Sequence, residues 1–298
     1  MAPKKFLTFV LLLVPSIVRG EPKSPEAVFW WSFFVPGGGY FYQGERGKGL
    51  AYFTATGSMI GWGIAKDKKR VGGEIDPPYV YAQQIHAAQI YLSYRESVRK
   101  FLGPRGEDQK ILQDQSSLSD LALSPFKTEN LTNPWVIGFA LLGVGINVAG
   151  ARLDKVQRDF SDISRVQILG DSFNRDAGLA AYGAYWIPIS LGAGVSEESV
   201  FRGLVQTGWE ESWGKTRGLL AASALFGAAH YDGSGPSFTN ALFAAAAGTY
   251  LGWRFQERHY RLSESIASHF WFDTLAGLTL YFANPDSNAL GAKVEFSF

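Results

Sequence analysis

The sequence predicts an all-α fold, a polytopic transmembrane helical bundle, on three observations. Five apolar stretches, 131–151, 177–196, 218–231, 233–253 and 265–282, crowd the C-terminal half, and only the last contains a charged residue, Asp273. They are rich in Ala, Gly, Leu and Phe, and small residues such as those of "ALFAAAAGTYLG" let helices approach closely within a bilayer. Charged residues make up 18% of the 298, below the ordinary soluble fraction, while 46% are hydrophobic and 15% aromatic.

Residues 1–20 carry Lys4 and Lys5, then an apolar core from Phe6 to Val14, and end at Gly20. This is the pattern of an export signal or of an uncleaved first membrane helix, and either places the chain at a bacterial-type membrane. Residues 21–66 form a hydrophobic two-helix module, with arms at 27–35 and 50–65 around a Pro-Gly-Gly-Gly turn. The first arm is too short to span a bilayer alone, so a tilted helix, or one continuing to Tyr42, is expected. The Gly39 and Gly44 spacing approaches a phosphate-binding loop, but Glu45 stands where its Lys belongs. "PGGGYFYQGERGKGL" resembles the turn of small two-helix membrane modules fused to many bacterial proteins, a local likeness that carries no chemistry.

Lys66, Lys68, Lys69 and Arg70 form a basic cluster that the positive-inside tendency puts in the cytoplasm, whereas an exported start followed by two spans puts it outside. Residues 67–133 are expected as a polar and amphipathic linker region, with an interfacial or soluble helix over 79–102 and a turn-rich stretch over 103–133. The bundle itself is expected over 134–283, interrupted by a polar loop at 152–176. An exposed tail follows at 284–298, whose last residues alternate as a barrel strand does.

Composition excludes several functions. A net charge of +1 lacks the basic balance of a nucleic-acid binder. With no cysteine there is no disulfide, no thiol nucleophile and no thiolate metal site. Any imidazole chemistry must draw on His86, His230, His259 and His269.

Ionisable groups at bilayer depth are costly, and those that persist pair with one another and serve a function. In the bundle they fall in three places: Glu197, Glu198 and Arg202 at the end of an apolar run, His230 at the end of "LFGAAH", and His269 with Asp273 inside "SIASHFWFDTL". Glu198 and Arg202 stand four apart, so they share a helical face and can pair. Glu197 points about 100° away from Glu198. Phe226 and His230, and likewise His269 and Asp273, are also four apart. Taken singly each has a plain reading: a charged cap at the interface, a surface histidine before the "YDGSGPS" turn, a packed phenylalanine. His269 and Asp273 fit that reading least, because apolar sequence continues on both sides.

"EESVFR", "FGAAH" and "HFWFD" resemble, in order, the three motifs of the CAAX-protease and bacteriocin-processing family of intramembrane glutamic endopeptidases. These are Glu-Glu-x-x-x-Arg, Phe-x-x-x-His and His-x-x-x-Asn/Asp, and the likeness covers roughly 134–283. The resemblance implies a water activated by Glu197 with His230, an oxyanion side lined by His269 and Asp273, and support from Glu198, Arg202 and Phe226. Asp273 replaces the asparagine of the eukaryotic prenyl-protein proteases. An ionised carboxylate cannot donate to an oxyanion, so Asp273 is either protonated or orients His269.

The expected function is therefore an intramembrane endopeptidase without cofactor, in a multi-pass protein of the bacterial inner membrane. Its partners are a peptide or membrane-protein substrate and the lipid bilayer, with no nucleic acid. A zinc-dependent membrane protease is the nearest rival, although no HExxH is present. A serine hydrolase through Ser172 lacks the G-x-S-x-G turn. A non-catalytic membrane protein (immunity factor, scaffold or transporter) would use the same buried charges only for stability or conduction.

Overall fold

The computed structural model describes residues 23–66, 76–156, 158, 160–231, 237–287 and 293–296. The signal or membrane helix expected over 1–20 and the Lys68, Lys69 and Arg70 cluster lie outside the described residues. The described part is mostly helical. The hydrophobic module builds α1 (Pro25–Phe34), α2 (Gly38–Gln43) and α3 (Arg46–Lys66). Ser24 caps α1 by accepting from the Ala27 N–H, and Pro25 occupies the first turn, where its missing N–H costs nothing. Of the two expectations for the first arm, the helix running on to Tyr42 is corrected here. The chain leaves the helix at Val35, and Gly37 turns it at φ +75°, with room for no Cβ because one would lie 2.1 Å from Gly49 O. At ten residues, α1 is about 15 Å long, half a hydrocarbon core.

The linker expected over 67–133 is the second correction. Residues 77–102 form α4 (Pro77–Leu102), which buries Ala88, Tyr91, Leu92 and Val98 in one cluster with Ile111, Leu112, Leu121, Val195, Phe255, Leu262 and Ile266. The polar side chains that made it look amphipathic are spent inside: Ser32 and Ser93 share a hydrogen bond of 2.6 Å, and Gln89 donates to Ser32 O at 2.9 Å. Short turns follow, including α5 (Leu118–Ala122), closed by a Ser117/Asp120 capping box, and α6 (Thr128–Leu131). They too are docked. Asp114 accepts from the Leu262 N–H at 2.7 Å, Asn130 donates to Ser263 Oγ at 2.9 Å, and Trp271 donates to Pro125 O at 3.0 Å.

The five apolar stretches all become helices: α7 (Pro134–Leu153), α8 (Arg175–Glu197), α10 (Lys215–Ala229), α11 (Ser237–Glu257) and α12 (Ser263–Ala283), with the short α9 (Thr207–Trp213) between α8 and α10. α12 is central, packing on α7 and α8. Gly143 of α7 lets Phe272 and Ala276 approach, and Gly194 of α8 lies against the backbone of Ile266. Among the described residues one helix, α7, is long and apolar enough to cross a membrane. Of the other four, α10 has only 15 residues, and α8, α11 and α12 are diluted by Ser, Thr, Gly, Tyr and charged residues. Apolar side chains nonetheless face outward around the bundle, among them Leu141 and Leu142 on α7, Leu220 on α10 and Leu242 on α11.

An all-helical fold is corrected in one place. The loop expected at 152–176 contains an antiparallel hairpin, β1 (Ile163–Ile168) and β2 (Asp171–Asn174), paired Ile168 to Asp171 and Arg165 to Asn174. Leu169 and Gly170, at φ +52° and +76°, supply the two left-handed positions that a tight hairpin turn needs. The tail, expected to be exposed, returns as β3 (Lys293–Phe296) on the other edge of β1, in the order β2-β1-β3. Alternation puts Val166 and Ile168 inside, and the irregular pairing between Ile163 and Arg165 brings Ile163 to the same side, against Tyr182, Ile189 and Tyr281.

Candidate active site

α8 delivers Glu197 as its last residue, and the next nine, Glu198–Gln206, wind as a π-helix. Thr207 N–H accordingly donates to Arg202 O, five residues back. Such segments are rare and recur at functional sites. Here the wide turn separates the adjacent carboxylates. Glu198 is fully buried, whereas the Glu197 side chain keeps a third of its surface open.

Glu198 Oε2 lies 3.2 Å from Arg202 Nε, and neither side chain reaches solvent. Arg202 also donates to Gly248 O at 3.3 Å and lies with its guanidinium 4.4 Å from the centre of the Phe226 ring. Phe226 is therefore more than packing: its face shields the buried cation, an attraction between ring quadrupole and charge that strengthens on desolvation. The same ring stacks, tilted, on His230 at 4.5 Å.

The two histidines are fixed differently. His230 Nδ1 sits 2.7 Å from Phe226 O. A carbonyl only accepts, so Nδ1 carries the hydrogen, and in the neutral ring Nε2 is bare. That bare nitrogen lies 3.9 Å from Glu197 Oε2, with the His230 side chain 39% exposed. His269 is buried. Its Nδ1 is 2.9 Å from Glu198 Oε1, which the Arg202 pair holds as an acceptor, leaving Nε2 to face the site. His269 Nε2 is 3.9 Å from Glu197 Oε2 and 3.4 Å from Asp273 Oδ2. Asp273 thus stands beside His269, as the orienting alternative requires. The Asp273 backbone carbonyl accepts from Trp186 Nε1 at 2.9 Å.

All seven residues singled out in the sequence come together, from α8, the π-helix, α10 and α12. Glu197 Oε2 is their meeting point: buried, without a hydrogen-bond partner among the described residues, and equidistant from two imidazole nitrogens. Among the described residues no group of three or more His, Cys, Asp or Glu side chains is arranged to hold a metal ion. Ser172 lies on β2, where its hydroxyl accepts from Arg165 Nη2 at 2.9 Å.

Two supports escaped the sequence. Trp186 fits against α12 only because position 277 is Gly, where a Cβ would fall 2.1 Å from the indole nitrogen. Glu210 is buried and accepts from Gln206 at 2.7 Å, Gln256 at 2.6 Å and the Tyr260 hydroxyl at 2.9 Å, tying the end of the π-helix to the end of α11. Burial and that carboxylate together push the Tyr260 hydroxyl well above its usual range. The spacing of Gln206 and Glu210 was visible in the sequence, but their burial was not.

No curated protein and no solved structure matches the chain. A family model, described as type II CAAX prenyl endopeptidase Rce1-like, matches residues 180–275, a span that holds every residue of the cluster from Glu197 to Asp273. Residues 180–275 are thus an Rce1-like type II CAAX prenyl endopeptidase domain, of a family of CAAX-type membrane proteases and the one that the three motifs predict.

Proposed function

We propose that the chain is an intramembrane endopeptidase in which Glu197 and His230 activate a water. The observation that carries this reading is the position of Glu197 Oε2, 3.9 Å from the bare Nε2 of His230 and 3.9 Å from His269 Nε2. That gap is too wide for a direct hydrogen bond and suits a water bridging carboxylate and imidazole. Glu197 takes one proton from the water as its oxygen adds to the peptide carbonyl carbon, and His230 Nε2 accepts a hydrogen bond from the O–H that stays on that oxygen. His269 acts as the imidazolium, which donates from both nitrogens: Nδ1–H to Glu198 and Nε2–H to the developing oxyanion, with the Asp273 carboxylate 3.4 Å from Nε2 holding the charged ring. Collapse of the tetrahedral adduct breaks the C–N bond, and the proton on Glu197 passes to the leaving amine. A positioned base of this kind contributes about 10²–10⁴-fold, and an oxyanion donor about 10²–10³-fold.

Glu198, Arg202 and Phe226 act behind this pair, holding charge balance and ring orientation without touching the reacting atoms. The helices α7, α8, α10, α11 and α12 are read as a multi-pass unit of a bacterial inner membrane, with its outward apolar side chains in lipid. The substrate is a peptide or a membrane protein. No metal or other cofactor takes part, and no nucleic acid is bound.

The test is a peptide-library cleavage assay on the purified protein, with and without chelator, beside Glu197→Gln. Cleavage that survives chelation and disappears in Glu197→Gln is the expected result. Loss on chelation with recovery on zinc would move the site to metal chemistry. Stably expressed Glu197→Gln and His230→Ala variants that keep the full biological effect would mark a non-catalytic membrane protein.

A further inference from the structure

We infer that α4, which lies wholly before the family domain, is a brace that sets the catalytic end of α8, with Tyr81 and Gln84 as its positioning residues. The inference rests on the protease reading for what is positioned, and on the following contacts for the brace itself. α8 contains Pro188, which lacks the N–H that Ala184 O would take and crowds that turn of the helix. At this place α4 supplies side-chain donors. Tyr81 OH donates to Tyr185 O at 3.0 Å, and Gln84 Nε2 donates to Ile189 O at 2.9 Å. One turn on, Gly192 leaves space that Gln84 fills, since a Cβ there would lie 1.9 Å from Gln84 Oε1.

Beyond the carboxylates α4 touches again. The Tyr91 ring lies where a Cβ on Gly203 would come within 2.5 Å, next to Arg202. Glu197 and Glu198 are therefore bracketed by α4 contacts on both sides along the chain. The far end of α4 is itself tied down. Arg95 donates to Asp114 O at 3.0 Å and lies 3.6 Å from the Asp114 carboxylate, which in turn accepts from the Leu262 N–H at the start of α12. One rod thus references both the helix that carries Glu197 and the helix that carries His269. Tyr and Gln are suited to the task, because each reaches across a helix interface to a carbonyl that already has an intrahelical role.

The experiment uses the full chain with Tyr81→Phe and Gln84→Met combined, which removes both donors and keeps side-chain bulk. Backbone hydrogen exchange is measured along α8, α7 and α12. The expected result is exchange at least about tenfold faster over 189–197, with α7 and α12 unchanged, and a kcat lowered by about tenfold at constant KM on whichever library peptide the parent protein cleaves. Unchanged exchange over 189–197, or acceleration spread evenly through all three helices, would overturn the brace. Faster exchange with unaltered kcat would overturn the positioning role. Failure of the protease reading shows separately, as absence of any cleavage that Glu197→Gln abolishes, and the exchange measurement still decides the brace.

Discussion

Glu197 and Glu198 are neighbours in sequence in different surroundings, one facing two histidines and one paired with Arg202, and on the proposed mechanism, with Glu197 as the base, substitution should separate them. Glu197→Gln keeps the shape and removes the base, so kcat should fall by about 10²–10⁴-fold. The melting temperature should hardly move, because this side chain is a third open and pairs at 3.9 Å only. Glu198→Gln strips the partner from a guanidinium that has no access to solvent. Breaking a buried pair from one side costs about 3–5 kcal/mol, so this variant should lose stability before any question of rate arises. Joint replacement of Glu198 and Arg202 by uncharged residues of similar volume should recover much of that loss, as an unfolding titration of the single and double variants would measure. Activity should not return with it, because His269 Nδ1 then has no carboxylate to hold the ring.

At the scale of elements, the site depends on a change of helix type and on close crossings. The switch from α8 to the π-helix at Glu198 turns two adjacent carboxylates to different surroundings, one toward the histidines and one toward Arg202. Gly277 sets the approach of α8 to α12 through Trp186, whose indole holds the carbonyl of Asp273. Gly277→Ala should therefore destabilise by about 1–3 kcal/mol, the usual cost of overpacking, seen as a lowered melting temperature. It should also reduce kcat, because Asp273 and His269 ride on the same turn of α12. Helical spacing made the Glu198–Arg202 and His269–Asp273 pairs legible, since four-residue separation nearly closes a turn in any helix of this width. The π-helix was not legible: "EESVFRGLVQ" has no feature that distinguishes five-residue from four-residue hydrogen bonding, and the contacts of Gly203 with Tyr91 and of Arg202 with Phe226 arise only once distant segments are packed.

At the scale of the molecule, the family domain does not stand alone. Val195, Phe255, Leu262 and Ile266 share a cluster with α4 and with Ile111, Leu112 and Leu121. A fragment beginning at residue 134 should therefore fail to give a monodisperse peak by size-exclusion chromatography in detergent, under conditions where the full chain does. Co-expression of residues 1–133 as a separate piece should restore part of it. The polarity of 67–133 misled the reading of that region as a linker. Several of its polar residues, Gln89, Ser93, Arg95 and Asp114 among them, make buried hydrogen bonds across the packing, as Ser93 with Ser32 and Asp114 with Leu262 do, and composition cannot tell a solvated polar residue from a paired one.

The sequence by itself determined the five apolar helices and singled out the seven residues that cluster between them, because hydropathy and four-residue spacing are local properties that survive without knowledge of packing. Only the tertiary structure decided that one histidine presents a bare nitrogen while the other hangs from Glu198, that Tyr81 and Gln84 of 77–102 donate to carbonyls of α8, and that the tail pairs with β1 as a third strand. Each of these depends on hydrogen-bond partners dozens of residues away or on the orientation of a ring, and a partner of that kind is chosen by the folded arrangement rather than by the neighbours in the chain.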